Sequence, residues 1–414
     1  MAIIKPFRAL RPDPSKAAVV ASRPYDVLNS NEARTEASGN PVSFLHITKS
    51  EIDLPESTDI HSGEVYEKAK ENLDRFIDTQ ILIREKQPCF YIYELEMNGR
   101  TQTGLVAASA VDDYERNVIL KHEFTRPEKE QDRINHIRTT GAQTGNVFLA
   151  YRSQRELDQT IENWKQEHDP LYNFTAHDGI RHTIWTVDEK SVIENIGQLF
   201  SQKIPVTYIA DGHHRAASAA KVRKALGQKK KSGADYFLTT LFPSAQLQIL
   251  DYNRVVKDTN GLSTPSLLKK IEESFLVHSN GKQPVKPARL HEFGFYIEGN
   301  WYKLTSKPGT WTNDAIGVLD ITILQDRLLT PVLGITDQRT DKRIDFVGGI
   351  RGLKELQKKV DSGEMALAIS LFPVSIEQLF AIADSGNVMP PKSTWFEPKL
   401  RDGLLTHLIN EEME

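Results

Sequence analysis

The sequence predicts a mixed α/β protein, and three stretches predict it. From Glu64 to Gln80 apolar residues recur at helical spacing, with Val65, Ala69, Leu73, Phe76 and Ile77 on one face and charges opposite. Phe90 to Leu95 alternates in the manner of a strand, and Asn98-Gly99 then precedes a second β-rich run from Thr101 to Ala107, which is a hairpin signal. The β-branched run Ile204 to Ile209 leads into an Ala-rich helix from Ala216 to Leu226, closed by Gly227, and Phe237 to Leu241 reads as the next strand. Strand, helix and strand in that order predict a βαβ unit.

The other elements follow in chain order. Pro6 to Tyr25 reads as an extended arm ending in a turn. Cys89 is expected as a small core residue at a strand start. Arg152 to Gln202 alternates helix and strand. Leu267 to Phe275 is expected to be helical, and Phe293 to Ile297 with Trp301 to Leu304 to form a hairpin across Gly299-Asn300. Then come a helix from Asp320 to Leu329 stopped by Pro331, a strand from Ile344 to Val347, a helix from Leu353 to Val360 and a strand from Ala366 to Leu371. Ser375 to Ala383 is a helix opened by a capping box between Ser375 and Gln378. A chain of 414 residues suits two or three domains. The expected division is an N-terminal α/β domain over 1–255 and a C-terminal α/β domain or cover over 256–414.

Composition removes several function classes. Hydrophobic residues make up 39% and charged residues 26%, as in an ordinary globular protein. A net charge of -4 argues against a nucleic-acid partner. The one dense basic run, Lys229-Lys230-Lys231, reads as a solvated loop. A single cysteine rules out an internal disulfide and a Cys-rich zinc site. No stretch approaches the ~20 apolar residues of a membrane span, and the N-terminus carries no cleavage signature, so the expected location is cytoplasmic with no membrane partner.

Five segments hold more polar chemistry than packing needs. In Asp211-Gly212-His213-His214-Arg215 a strand meets a glycine and a helix begins at once. Free amides and the positive end of the helix dipole favour an anion there. Gly212 lets backbone approach a ligand, Arg215 is expected as an exposed fork for phosphate oxygens, and His213 and His214 add donors. Asp211 has the wrong sign for phosphate and suits Mg²⁺, a histidine or a proton. The second segment is His122-Glu123 with Thr125-Arg126-Pro127, running on through Arg133. Arg126 and Arg133 could clamp a phosphate and Glu123 could act as a base, or the segment is a charged amphipathic helix. The third is Arg23-Pro24-Tyr25-Asp26. The fourth is Arg339 to Gly349, containing Lys342 and a strand that ends in Gly-Gly; a plain turn is the simpler reading. The fifth is Met389 to Lys399, either a loop lining a site or a packed cover. There is no P-loop, no G-x-G-x-x-G after a strand, no H-E-x-x-H and no G-x-S-x-G.

Together these segments resemble a large bacterial and archaeal domain-of-unknown-function family, number 1015, over nearly the whole chain. The Asp211 to Arg215 element also resembles the phosphate-binding turn of the ParB/sulfiredoxin superfamily, which includes nucleotide-dependent free serine kinases. That likeness implies a catalytic or metal-associated acid at Asp211 and phosphate contacts at His213 and Arg215. Ala216 stands where many relatives carry an aromatic residue. The leading expectation is therefore a small-molecule kinase, passing a phosphoryl group from ATP or ADP to a hydroxyl such as that of free L-serine, with Mg²⁺ as cofactor. Asp211, Glu123 and His213 are the candidate catalytic residues and Asp211 the candidate metal ligand. Gly212, His213, His214, Arg215, His122, Arg126, Arg133 and Lys342 are the candidates for binding the nucleotide. A nucleotide phosphohydrolase at the same site and a non-enzymatic nucleotide-binding regulator are the alternatives.

Overall fold

A computed structural model describes residues 1–227 and 232–413. The lysine run at 229–231 lies outside the described residues. The chain forms two units, one built from Met1–Leu247 with Pro398–Glu414 and the other from Gln248–Glu397. The carboxyl-terminal stretch therefore belongs with the first unit, although the sequence division at 255/256 put it in the second.

The first unit is built on a mixed nine-stranded sheet. Across it run Ile119–Leu120, Thr207–Asp211, Val147–Tyr151, Tyr236–Pro243, Arg100–Ala110, Phe90–Met97, Arg181–Val187 and Tyr172–Thr175, with Ile4–Lys5 added beside Arg100–Ala110. The expected hairpin forms at Asn98 and Gly99, both with positive φ (54° and 75°), the turn whose twist matches that of its strands. Phe90, Tyr91, Ile92 and Tyr93 are all buried, so both faces of the sheet are covered. The helices Arg155–Glu167 and Lys190–Lys203 place Leu157, Ile161, Trp164, Ile196 and Phe200 in the same core as Ile92, Leu105 and Leu149. Gly63–Asp78 buries Val65, Ala69, Leu73 and Phe76 as its spacing predicts, while Ile77 stays exposed. Cys89 is buried.

Thr207–Asp211, the helix His213–Leu226 and Tyr236–Pro243 do follow one another, but they are not a βαβ unit. Both strands pair with Val147–Tyr151, one antiparallel and the other parallel, so they run in opposite directions. The end of Thr207–Asp211 and the start of Tyr236–Pro243 thus lie at the same end of the sheet. The returning chain is held there by the carboxyl-terminal segment, where Gly233 N–H donates to the Glu411 carbonyl at 2.6 Å. Periodicity reports alternation of elements and carries no information on strand direction.

The second unit holds an antiparallel six-stranded sheet, ordered Phe275–Gly281, Asn300–Ser306, Glu292–Ile297, Leu367–Leu371, Tyr252–Val256 and Ile344–Gly348. Its hairpin turns at Glu298-Gly299, one residue earlier than expected. The helix from Asp320 becomes a π-turn over Gln325–Leu329 before Pro331, and the Ser375–Gln378 capping box is present.

Candidate functional site

The site grows from the turn at the end of Thr207–Asp211. Gly212 sits at φ 97° and is the residue from which the helix His213–Leu226 starts. A Cβ at Gly212 would lie 3.1 Å from Arg215 Nε and 3.4 Å from Val147 Cα. The left-handed backbone and the close approach both require glycine. Gly212→Ala should cost the first unit about 1–3 kcal/mol, seen as a lower melting temperature; unchanged melting would show that the turn tolerates a side chain.

Asp211 ends the strand half-buried. Lys399 Nζ lies 3.2 Å from its Oδ2, and Arg215 Nη2 lies 3.4 Å from the same oxygen. These two cations outweigh burial and hold the Asp211 carboxyl well below its usual range. Arg215 is not the exposed fork expected from the sequence. It is buried at 9% exposure, and it donates to the Asn146 carbonyl and, at 3.2 Å, to Asp26 of the Pro-Tyr-Asp segment. An Ala-rich helix packed on its neighbours draws its first turn inward, so the guanidinium ties three segments together. Asp402 is nearby and almost fully buried. Burial pushes its carboxyl up to about 7, against the pull of Arg215.

The segment after Ile119–Leu120 comes back over this turn. His122 and His213 meet edge to face, ring centroids 4.5 Å apart and planes at 89°. The His122 N–H points at His213 Nε2 over 3.5 Å, and the Arg126 N–H donates to His214 Nε2 at 3.0 Å. His214 therefore carries its neutral-form proton on Nδ1. Burial lowers His122 to about 4 and His213 well below the ordinary value, so both rings are neutral at pH 7. Glu123 reaches the same place as these two imidazoles, and the Arg126 side chain is exposed at the start of helix Pro127–Thr140.

Not every candidate joins them. Arg133 is buried, stacked 3.9 Å over the Tyr25 ring and paired with Asp132 at 2.7 Å; it lines a small cavity with Tyr25 and Arg215 that His122, Glu123 and His213 do not line. Lys342 is an exposed residue of the second unit. In that unit Arg339 and Arg343 turn onto Asp337 and Asp341, and Gly348 lies so close under Trp395 that a Cβ would sit 2.8 Å from its ring. The Gly-Gly of the fourth segment meets a packing need. Asp211 does not suit the Mg²⁺ expected there: that ion wants several oxygen ligands, and the Asp211 oxygen already faces two cations.

Lys399 falls in the fifth segment, where the sequence assigns it no role, and nothing in the sequence marks Asn146 or Asp402. The proline-rich run pointed towards Lys399, whereas Asn146 and Asp402 carry no local signal. Arg401-Asp402-Gly403 reads as any turn.

A mixed-sheet α/β protein that gathers amides, imidazoles, carboxylates and cations at one strand-to-helix turn is the class defined by this fold and site. Residues 4–322 match the family described as protein of unknown function DUF1015, and the chain belongs to that family. No curated protein matches the chain. Among solved structures it is similar to a conserved hypothetical protein from Pyrococcus furiosus, with 15% identity and a TM-score of 0.37, over 74% of this chain and 95% of that one. It is similar too to a free serine kinase in complex with AMP, with 12% identity and a TM-score of 0.37, over 73% and 91%. A third is SbnI with C-terminal truncation from Staphylococcus aureus, with 11% identity and a TM-score of 0.33, over 73% and 87%. Among the described residues no helix is long and apolar enough to cross a membrane.

Proposed function

We propose that the protein binds a nucleotide at the turn of Gly212 and transfers a phosphoryl group to the hydroxyl of a small molecule, free L-serine being the first candidate. The observation that carries this reading is the meeting of the helix start at Gly212 with the His122 to Arg126 segment. The leading amides of helix His213–Leu226 have no intrahelical acceptor and form the positive end of the dipole, which supports a phosphate there. Lys399 and the exposed Arg126 add charge for phosphate oxygens. In the transfer, the acceptor oxygen forms a bond to phosphorus as the bond to the nucleotide oxygen breaks, and the acceptor proton must leave. Asp211, neutralised by two cations, is a weak base. In this reading Glu123, whose carboxylate lies beside His122 and His213, takes the acceptor proton, directly or through a bound cation.

The test is to incubate purified protein with ATP, ADP or CTP, with and without L-serine. Phosphoserine supports the reading. Free phosphate alone would make the protein a phosphohydrolase, and binding without turnover would make it a nucleotide-binding regulator. Glu123→Gln should lower turnover by about 10²-fold or more while melting stays within 1–2 °C, the scale of a lost proton-transfer group. Asp211→Asn should act chiefly on stability, because it releases Lys399 and Arg215 from their shared partner. Turnover of Glu123→Gln within a few-fold of the parent would overturn the role given to Glu123.

A further inference from the structure

His122 is 2% exposed, and neither ring nitrogen has a hydrogen-bond partner among the described residues. Ile209 backbone lies near enough to favour the protonated ring without bonding it in normal geometry. Other histidines of the same unit show what burial ordinarily demands. His136 Nε2 meets the Ile47 carbonyl at 3.0 Å, and His407 Nε2 meets the Gly233 carbonyl at 2.8 Å. A buried polar group left unmatched is costly, and a fold that needed only an edge-to-face ring at this position would be served by phenylalanine without that cost. A ring nitrogen of His122, a ring nitrogen of His213 and a carboxylate oxygen of Glu123 all lie within 4.8 Å of one another. The three come from two segments 91 positions apart along the chain, as the His122–His213 contact records.

We propose that His122, Glu123 and His213 form a binding site for one divalent transition-metal ion of the zinc class. Two imidazoles and one carboxylate select such an ion over Mg²⁺ or Ca²⁺, which ask for oxygen donors throughout. Three protein ligands leave coordination positions open, the arrangement of sites that act on a bound ligand, whereas structural zinc sites are closed by four. Asp211 lies close enough to both imidazoles to bear on their charge, and its carboxylate is anchored by Lys399 and Arg215. It supplies negative charge beside the cation without taking a ligand position. Binding of the ion stands on this geometry alone. Its use, with Glu123 acting on the acceptor hydroxyl through the metal, rests on the phosphoryl-transfer reading.

The experiment is metal binding by the full chain. Protein stripped with chelator and dialysed is titrated with Zn²⁺ by calorimetry, and with Co²⁺ by visible absorption. One equivalent is expected to bind, Co²⁺ should develop ligand-field bands of a nitrogen- and oxygen-coordinated ion, and Mg²⁺ should neither bind there nor compete. Glu123→Gln and His213→Gln should each weaken Zn²⁺ by more than the ~10–100-fold that loss of an outer-shell partner costs. His278→Ala, an exposed histidine of the second unit, should leave it unchanged. Glu123→Gln, at a partly exposed position, keeps the test open if His213→Gln fails to fold. No stoichiometric binding, or equal affinity in Glu123→Gln and the parent, overturns the proposal. One equivalent bound with no turnover of any nucleotide supports the metal site and defeats the phosphoryl-transfer reading, so the two fail separately.

Discussion

In the presence of chelator, the first unit is expected to lose its structure between about pH 4 and 5, well above the range of ordinary acid unfolding. Five of its buried histidines have their protonation held down by burial: His122, His136 and His407 to about 4, His182 to about 3 and His213 well below its ordinary value. In the unfolded chain each takes a proton near 6.5. Because the folded values are depressed, the stability these residues confer is complete above pH 6.5 and is lost as pH falls towards 4. Asp402 works the other way. Its folded carboxyl is raised to about 7, so its contribution is complete below the unfolded value near 4 and is lost as pH rises through 7. Between these limits these groups take up a net of about four protons on unfolding, a slope of ~5 kcal/mol per pH unit. Against a total stability of ~10 kcal/mol, about two pH units below 6.5 suffice. Proton uptake on unfolding at pH 5.5, with hydrogen exchange of the first unit's amides from pH 8 to 3, checks this. His407→Gln should reduce the slope by ~1.4 kcal/mol per pH unit. An uptake below one proton would refute the expectation.

Arg215→Ala is expected to lower the stability of the first unit by about 3 kcal/mol. The loss would leave Asp26 and Asp211 without this counter-ion, Asp402 with less compensation, and the Asn146 carbonyl without its donor. Breaking a buried charge pair costs about 3–5 kcal/mol; the lower end applies because Asp26 and Asp211 keep 38% and 30% of their side-chain exposure. For a unit of this size that is a fall of roughly 6–12 °C in melting temperature. Arg215→Lys keeps the charge, loses the fork, and should recover only part of the difference. Thermal unfolding and nucleotide calorimetry on both variants separate the possibilities. Lost nucleotide binding with parental melting would mean that the guanidinium serves the ligand, as the sequence alone suggested, and that its buried partners contribute little.

Much of the local structure was legible beforehand, because its causes are local. The 3.6-residue spacing from Val65 to Phe76, the Asn98-Gly99 turn, the Gly227 helix end and the Ser375–Gln378 box each record a backbone preference in adjacent residues. The density of ionisable groups at Asp211 to Arg215 and at His122 to Arg126 was legible for the same reason: a folded interior tolerates such groups only with partners. The partners themselves were not. Asn146, Asp402 and Lys399 reach the turn of Gly212 from elsewhere in the chain, and Arg215 exchanged an expected ligand for Asp26.

The sequence by itself therefore determined the class of fold, most elements, and where ionisable groups cluster along the chain. Only the tertiary structure decided the direction of Tyr236–Pro243 relative to Thr207–Asp211, which charges neutralise Asp211, and that two histidines 91 positions apart share one buried corner. The physical reason is range. Propensity and periodicity act over a few residues, whereas a carboxylate's charge state and a histidine's missing hydrogen bond depend on every group within a few ångströms, whichever part of the chain supplies it.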